Sequence, residues 1–155
     1  MTHHSPISEE QLKQIEMHAN QIVQKNVKVE KLLMPRTAAE SQFGFRIYQG
    51  GAVPGNVLRI LKIGDYDVEA CGGTHCDWTG EIGLIKIKNV DRIQDGVDRI
   101  EFVAGEPAVC YVQSMYTVLQ NLRKTLNAPD MSSVQSAAEL KIKELENAKN
   151  RYREV

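Results

Sequence analysis

The stretch Val57–Cys76, VLRILKIGDYDVEACGGTHC, decides how this chain is read. VLRILKI is apolar and rich in β-branched residues. Gly64 and Asp65 interrupt it, and DYDVEAC resumes the strand-like texture. Two such runs about a short turn predict a β-hairpin, although Gly-Asp is a weaker turn signal than Asn-Gly. The hairpin runs straight into CGGTHC, where Cys71, Gly72, Gly73, Thr74, His75 and Cys76 follow one another.

Downstream, EIGLIKIKNV alternates Ile85 and Ile87 with Lys86 and Lys88. It leads through DRIQDG to VDRIEFVAG, which predicts two more antiparallel strands. Upstream, YQGGAVPGN reads as a loop, and VKVEKLLM suits a strand that Pro35 ends. Thr37 and Glu40 suggest a capped start for a short helix. Near the N-terminus Ser8 and Gln11 form a capping-box signal, with Ile7 and Leu12 as its hydrophobic staple. Leu12, Ile15, Ala19, Ile22 and Val23 then recur at helical spacing, predicting a helix from about Glu9 to Lys25.

Beyond Gly105 the texture changes. Val109, Val112, Tyr116, Leu119 and Leu126 recur in steps of three and four, a helix with a coiled-coil-like stripe. NAPD breaks it, and Ser132 with Gln135 signals another capped start. A last helix then carries Ala138, Ile142, Leu145 and Tyr152 on one face and a Glu139–Lys143 pair on another. That helix has too few apolar groups to stand alone and needs a partner, in cis or in a dimer. The expected architecture is α+β: an antiparallel β-sheet of about four strands packed with helices, followed by a helical tail.

Of the 155 residues, 42% are hydrophobic and 25% charged, which suits a soluble globular domain with an appendage. No run approaches the roughly 18 apolar residues of a membrane span, and no secretory signal is visible, so a cytoplasmic location is expected. The net charge of −1 argues against nucleic-acid binding through overall charge. Lys86, Lys88 and Arg92 still form a local basic cluster, read either as a solvated face or as an RNA contact. Three cysteines in a signal-free chain are no disulfide framework.

Cys71 and His75, four apart on a glycine-rich turn, can aim at one ion. Zinc takes thiolate and imidazole together and prefers four ligands, so this is half a site. Gly72 and Gly73 let a substrate approach the main chain closely. The competing reading is a buried Cys71 at a strand end and a turn histidine bonded to backbone. Cys76 follows His75 directly and so points to the other side, as a packed or partly buried thiol. Cys110, among apolar helical neighbours, is expected in the core. His3 and His4 lie in a polar tail, and His18 falls on the solvent side of the first helix.

VEACGGTHCDWTGEIG closely resembles the editing domain of alanyl-tRNA synthetases, the archaeal type in particular. FRIYQGGAVPG, IGLIKIKNVDRIQDGVDRIEFVAG and THHSPISEEQLKQIE are similar to the same family in the same order. The resemblance covers residues 1–113, a partial editing domain, and continues more loosely into residues 114–155, a helical linker or dimerisation tail. Threonyl-tRNA synthetases carry a related domain with proline where this chain has Thr74, and free-standing editing proteins share the motif.

The resemblance implies hydrolysis of seryl- or glycyl-tRNA(Ala) in an enzyme that attaches alanine to tRNA(Ala) using ATP. It implies zinc held by a His-x-x-x-His pair together with Cys71 and His75, and substrate approach along Gly72, Gly73 and Thr74. The histidine pair has no match here; His3 and His4 correspond to a segment after it. Met1 therefore reads as the start of a fragment, with weak or absent zinc and little activity of its own. The implied partners are the acceptor end of tRNA(Ala), the rest of the synthetase and a second copy through the tail. The alternative is a non-catalytic tRNA-binding or dimerisation module with a structural half metal site, or a piece of a free-standing editing hydrolase.

Overall fold

The computed structural model describes residues 6–48, 51 and 53–153. His3 and His4 lie outside the described residues. The fold is α+β, with two antiparallel sheets rather than one sheet of about four strands.

The first helix, α1 (Glu9–Gln24), starts on the predicted capping box. The Gln11 amide donates to Ser8 Oγ at 3.2 Å and the Ser8 amide donates to Gln11 Oε1 at 2.9 Å. Three strands follow in order: β1 (Val29–Pro35), β2 (Val57–Ile63) and β3 (Asp67–Ala70). β2 lies in the middle and pairs antiparallel with both neighbours, Leu33 opposite Arg59 and Ile60 opposite Ala70. The Gly-Asp turn forms as predicted: Gly64 takes φ 51, and the Tyr66 amide bonds the Ile63 carbonyl at 2.9 Å. Between β1 and β2 come α2 (Arg36–Phe43) and a 3-10 turn, Phe45–Tyr48.

Strand alternation explains where the core sits. Leu58 and Ile60 share one face of β2 and are buried with Ala39 of α2, Ile47 and Val68. The other face carries Arg59 and, across the ladder, Lys31 and Leu33. The predicted cap of α2 does not form: its N-cap is Pro35, without a side-chain bond. The helix begins at Arg36, so Thr37 already lies inside it, and Glu40 accepts from the Tyr48 hydroxyl at 2.6 Å. Arg36 spreads its guanidinium over Tyr48 Oη (2.7 Å), the Val53 carbonyl (2.5 Å) and the Gly55 carbonyl (2.7 Å), tying down the loop that enters β2.

The second sheet is a two-stranded ribbon of β4 (Ile85–Gln94) and β5 (Val97–Ala104). It stays separate because side chains of α1 occupy the outer edge of β4. Asn20 accepts from the Ile85 amide at 2.9 Å and donates to the Ile85 carbonyl at 2.8 Å. One turn earlier Glu16 accepts from the Ile87 amide at 2.6 Å. Gly83 (φ 70) and Gly105 (φ 64) meet where the ribbon begins and ends; a Cβ on Gly83 would stand 3.1 Å from Gly105 Cα.

The chain separates into two compact units, Met1–Ala108 and Val109–Val155. The second contains most of α3 (Glu106–Thr125) and all of α4 (Val134–Arg153), joined by a turn in which Arg123 Nη1 donates to the Pro129 carbonyl at 3.0 Å. The Ser132–Gln135 cap is replaced. Asp130 accepts from the Ser133 amide at 2.9 Å and from Ser132 Oγ at 2.7 Å, while Gln135 donates to Glu139. Lys141 pairs with Glu144 at 2.9 Å, and Glu139 is taken by Gln135 rather than by Lys143. Cys110 is exposed on α3, contrary to the core assignment, and so are Val109, Val112, Tyr116 and Leu119. An apolar stripe fixes which residues share a helix face, not that a neighbour covers that face. Ile142, Leu145 and Tyr152 on α4 are likewise exposed and are not buried against α3.

Candidate functional site

The end of β3 is continued by one further ladder bond, from the Cys71 amide to the Arg59 carbonyl at 3.1 Å. Cys71 is thus held in register beside β2 as the chain leaves the sheet. Gly72, Gly73, Thr74 and His75 are exposed, whereas Cys71 and Cys76 are partly buried. Neighbouring His75 and Cys76 therefore differ in exposure, as an extended segment requires.

A Cβ built on Gly73 would stand 3.4 Å from His75 Nε2 and 3.6 Å from Cys71 Sγ, with nothing else within 4 Å. Sulfur and ring nitrogen both flank the space that glycine leaves empty. That donor chemistry suits zinc, which binds thiolate sulfur at about 2.3 Å and imidazole nitrogen at about 2.0–2.1 Å. It supplies two of four positions, and no group of three or more His, Cys, Asp or Glu side chains that could hold a metal occurs among the described residues.

Charged side chains on the sheet face that also carries buried Leu61 bond to this loop. Arg59 Nη1 donates to the Gly73 carbonyl. Lys31 Nζ donates to the His75 carbonyl at 3.0 Å and to Asp77 Oδ1 at 2.5 Å. The bond from Lys31 and then its positive charge, aided by that of Lys28, hold the Asp77 carboxyl below its usual range. The loop then rejoins β1: the Val29 amide donates to the Asp77 carbonyl at 2.8 Å, and Lys28 bridges Trp78. Its exit is fixed by Thr79, which is buried. The Thr79 hydroxyl donates to the Ile22 carbonyl at the end of α1 (2.8 Å) and accepts from the Val27 amide (2.8 Å). A Cβ on the next residue, Gly80, would collide with Asn26 Oδ1 at 2.4 Å.

Arg59, Lys31 and Thr79 were not singled out from the sequence. The available signal was the strand period, which puts Lys31 and Arg59 on one face once β1 and β2 are registered. The basic cluster behaves differently from a bare RNA patch. Lys86 pairs with Glu16 at 2.8 Å, Lys88 with Glu101 at 3.6 Å and Arg92 with Asp95 at 3.5 Å. His18 is exposed, as expected, and its ring meets Tyr66 edge-on at 6.4 Å.

Residues 58–101, from β2 into β5, match the family described as the threonyl and alanyl tRNA synthetase second additional domain. The chain is 51% identical over 155 residues to an alanine–tRNA ligase of Thermofilum pendens, covering 99% of this chain and 17% of that protein. It is 53% identical over 129 residues to the alanine–tRNA ligase of Methanosarcina mazei and 50% identical over 129 residues to that of Thermococcus kodakarensis. Each of these two alignments covers 83% of this chain and 14% of the relative. The chain is thus similar along nearly its whole length to alanine–tRNA ligases and spans about a sixth of the length of the relatives it matches.

Proposed function

We propose that this segment forms part of an editing site, in a synthetase that attaches alanine to tRNA(Ala) with ATP, and that this site hydrolyses seryl- or glycyl-tRNA(Ala). The observation that carries the reading is the placement of Cys71 Sγ and His75 Nε2 both next to the space over Gly73, inside the matched domain. A synthetic pocket discriminates poorly against amino acids that differ by a methyl or a hydroxyl, so a second, hydrolytic site is needed for fidelity. Cys71 and His75 would hold a zinc ion together with two ligands from elsewhere in the synthetase. When bound, zinc supplies a Lewis acid that can orient the aminoacyl end, polarise its carbonyl or activate water.

The chain's own contribution is positioning. Gly72 and Gly73 carry no side chain to block the ester, and Thr74 brings a hydroxyl to the same exposed turn. The partners in this reading are the acceptor end of tRNA(Ala), the remainder of the synthetase and a second copy through the tail, in the cytoplasm. No helix among the described residues is long and apolar enough to cross a membrane. With two donors, the segment alone binds zinc weakly and deacylates poorly.

The test is deacylation of seryl-tRNA(Ala) by the full-length synthetase. Cys71→Ala or His75→Ala should depress deacylation and leave alanylation nearly unchanged. Undiminished deacylation in both variants would overturn the proposal.

A further inference from the structure

We propose that Arg59 and Lys31 are positioning residues that hold Gly72–His75 in the one conformation where Cys71 and His75 converge, an inference that rests on the metal reading above. The two residues project from the same face of neighbouring strands, Arg59 of β2 and Lys31 of β1, diagonal across the β1–β2 ladder. Each reaches a main-chain oxygen of the loop rather than a side chain: Arg59 the Gly73 carbonyl, Lys31 the His75 carbonyl. Those carbonyls belong to the residue between the two donors and to the second donor itself.

The first donor is fixed by different means, since the Cys71 amide is part of the sheet ladder. Between the two anchors lie Gly72 and Gly73, exposed and with the widest conformational freedom of any residue. No ladder bond restrains them. An exposed diglycine left to itself would hold His75 at a changing distance from Cys71. Charge-assisted bonds from two directions remove that freedom without placing a side chain in the space over Gly73. Lys31 is held in turn by Asp77 at 2.5 Å, two residues beyond His75, so one ammonium bonds both the His75 carbonyl and the Asp77 carboxylate.

Outer groups that orient metal ligands are commonly worth about 10–100-fold in metal affinity. Arg59→Met and Lys31→Met, which keep the aliphatic stems and remove the donors, should each weaken binding of cobalt(II) about tenfold. They should also reduce the thiolate-to-cobalt absorption that reports Cys71 coordination. Arg59→Lys can still donate one bond to Gly73 and should recover most of the signal.

The metal-free chain supplies the second readout. In 15N relaxation, the order parameters of the Gly72–His75 amides should fall in both methionine variants and recover in Arg59→Lys, while amides of Leu58 and Ile60 in the core stay unchanged. Unaltered loop order in folded Arg59→Met and Lys31→Met would overturn the inference. So would lowered order accompanied by wild-type cobalt affinity. Cys71→Ala separates the two levels: cobalt affinity unchanged in that variant refutes the metal reading, whereas the relaxation result still decides whether the clamp exists.

Discussion

Replacing Thr79 by valine keeps the shape of the side chain and removes only its hydroxyl. That hydroxyl stands between the last turn of α1 and the segment entering β1, donating to the Ile22 carbonyl and accepting from the Val27 amide, both at 2.8 Å. Thr79 is 2% exposed, so water does not readily replace the lost partner. The variant leaves one carbonyl and one amide unsatisfied, each costing about 1–3 kcal/mol, so the expected loss is about 2–6 kcal/mol. In urea this moves the unfolding midpoint down by on the order of 1–3 M, given a slope of roughly 2 kcal/mol per molar. Thr79→Ser keeps the hydroxyl and loses a methyl, for about 1 kcal/mol. Equilibrium urea unfolding of the three proteins measures the series. A valine variant within about 0.5 kcal/mol of the parent, or a serine variant weaker than the valine one, would refute the argument that buried polar satisfaction fixes the exit of the site loop.

Three further outcomes are expected. Gly73→Ala places a methyl in ordinary contact with both donors and needs no left-handed backbone, so it should leave stability nearly unchanged while weakening zinc or cobalt binding, measured by chelator competition. The Asp77 carboxyl is held low by Lys31, so its contribution to stability is present above the ordinary carboxylate range and is lost as pH falls through the depressed folded value. Asp77→Asn should therefore differ from the parent at neutral pH and converge with it in acid, whereas Lys31→Met, which also loses the bond to the His75 carbonyl, should stay below it, as thermal unfolding between pH 2 and pH 7 would report (roughly the window set by ordinary carboxylates). The exposed apolar residues of α3 and α4 should drive self-association, and removing residues 128–155 should weaken it; a chain that sediments as a monomer at every concentration counts against the dimer.

Legibility tracked the range of the interactions involved. The Ser8 cap and the Val57–Ala70 hairpin rest on neighbours in sequence, and both were readable there. The cap expected at Thr37 does not form because α2 starts at Arg36, directly after Pro35, which puts Thr37 inside the helix. Ser132 lost its role to Asp130, which gathers two serines at once. Cys110 was misplaced because helical spacing says which residues share a face but not whether anything covers it. One sheet was expected where two exist, since the edge of β4 is filled by helix side chains that no strand pattern announces. At the site, the Cys71–His75 pair was visible as spacing, whereas the clamp beside it depends on the register of two antiparallel strands separated by α2.

Asn20 and Glu16 give the ribbon something other than a fixed position. A strand edge with free amides and carbonyls is a template on which a second chain can polymerise, and nature usually blunts it with charge, proline or a bulge. Here one turn of helix imitates a neighbouring strand, matching both hydrogen-bonding groups of Ile85 and the amide of Ile87. The protection is therefore conditional on α1 being docked. A newly made or partly unfolded chain whose first helix has come loose exposes an adhesive edge on β4, so misassembly during synthesis and refolding is governed by when α1 docks.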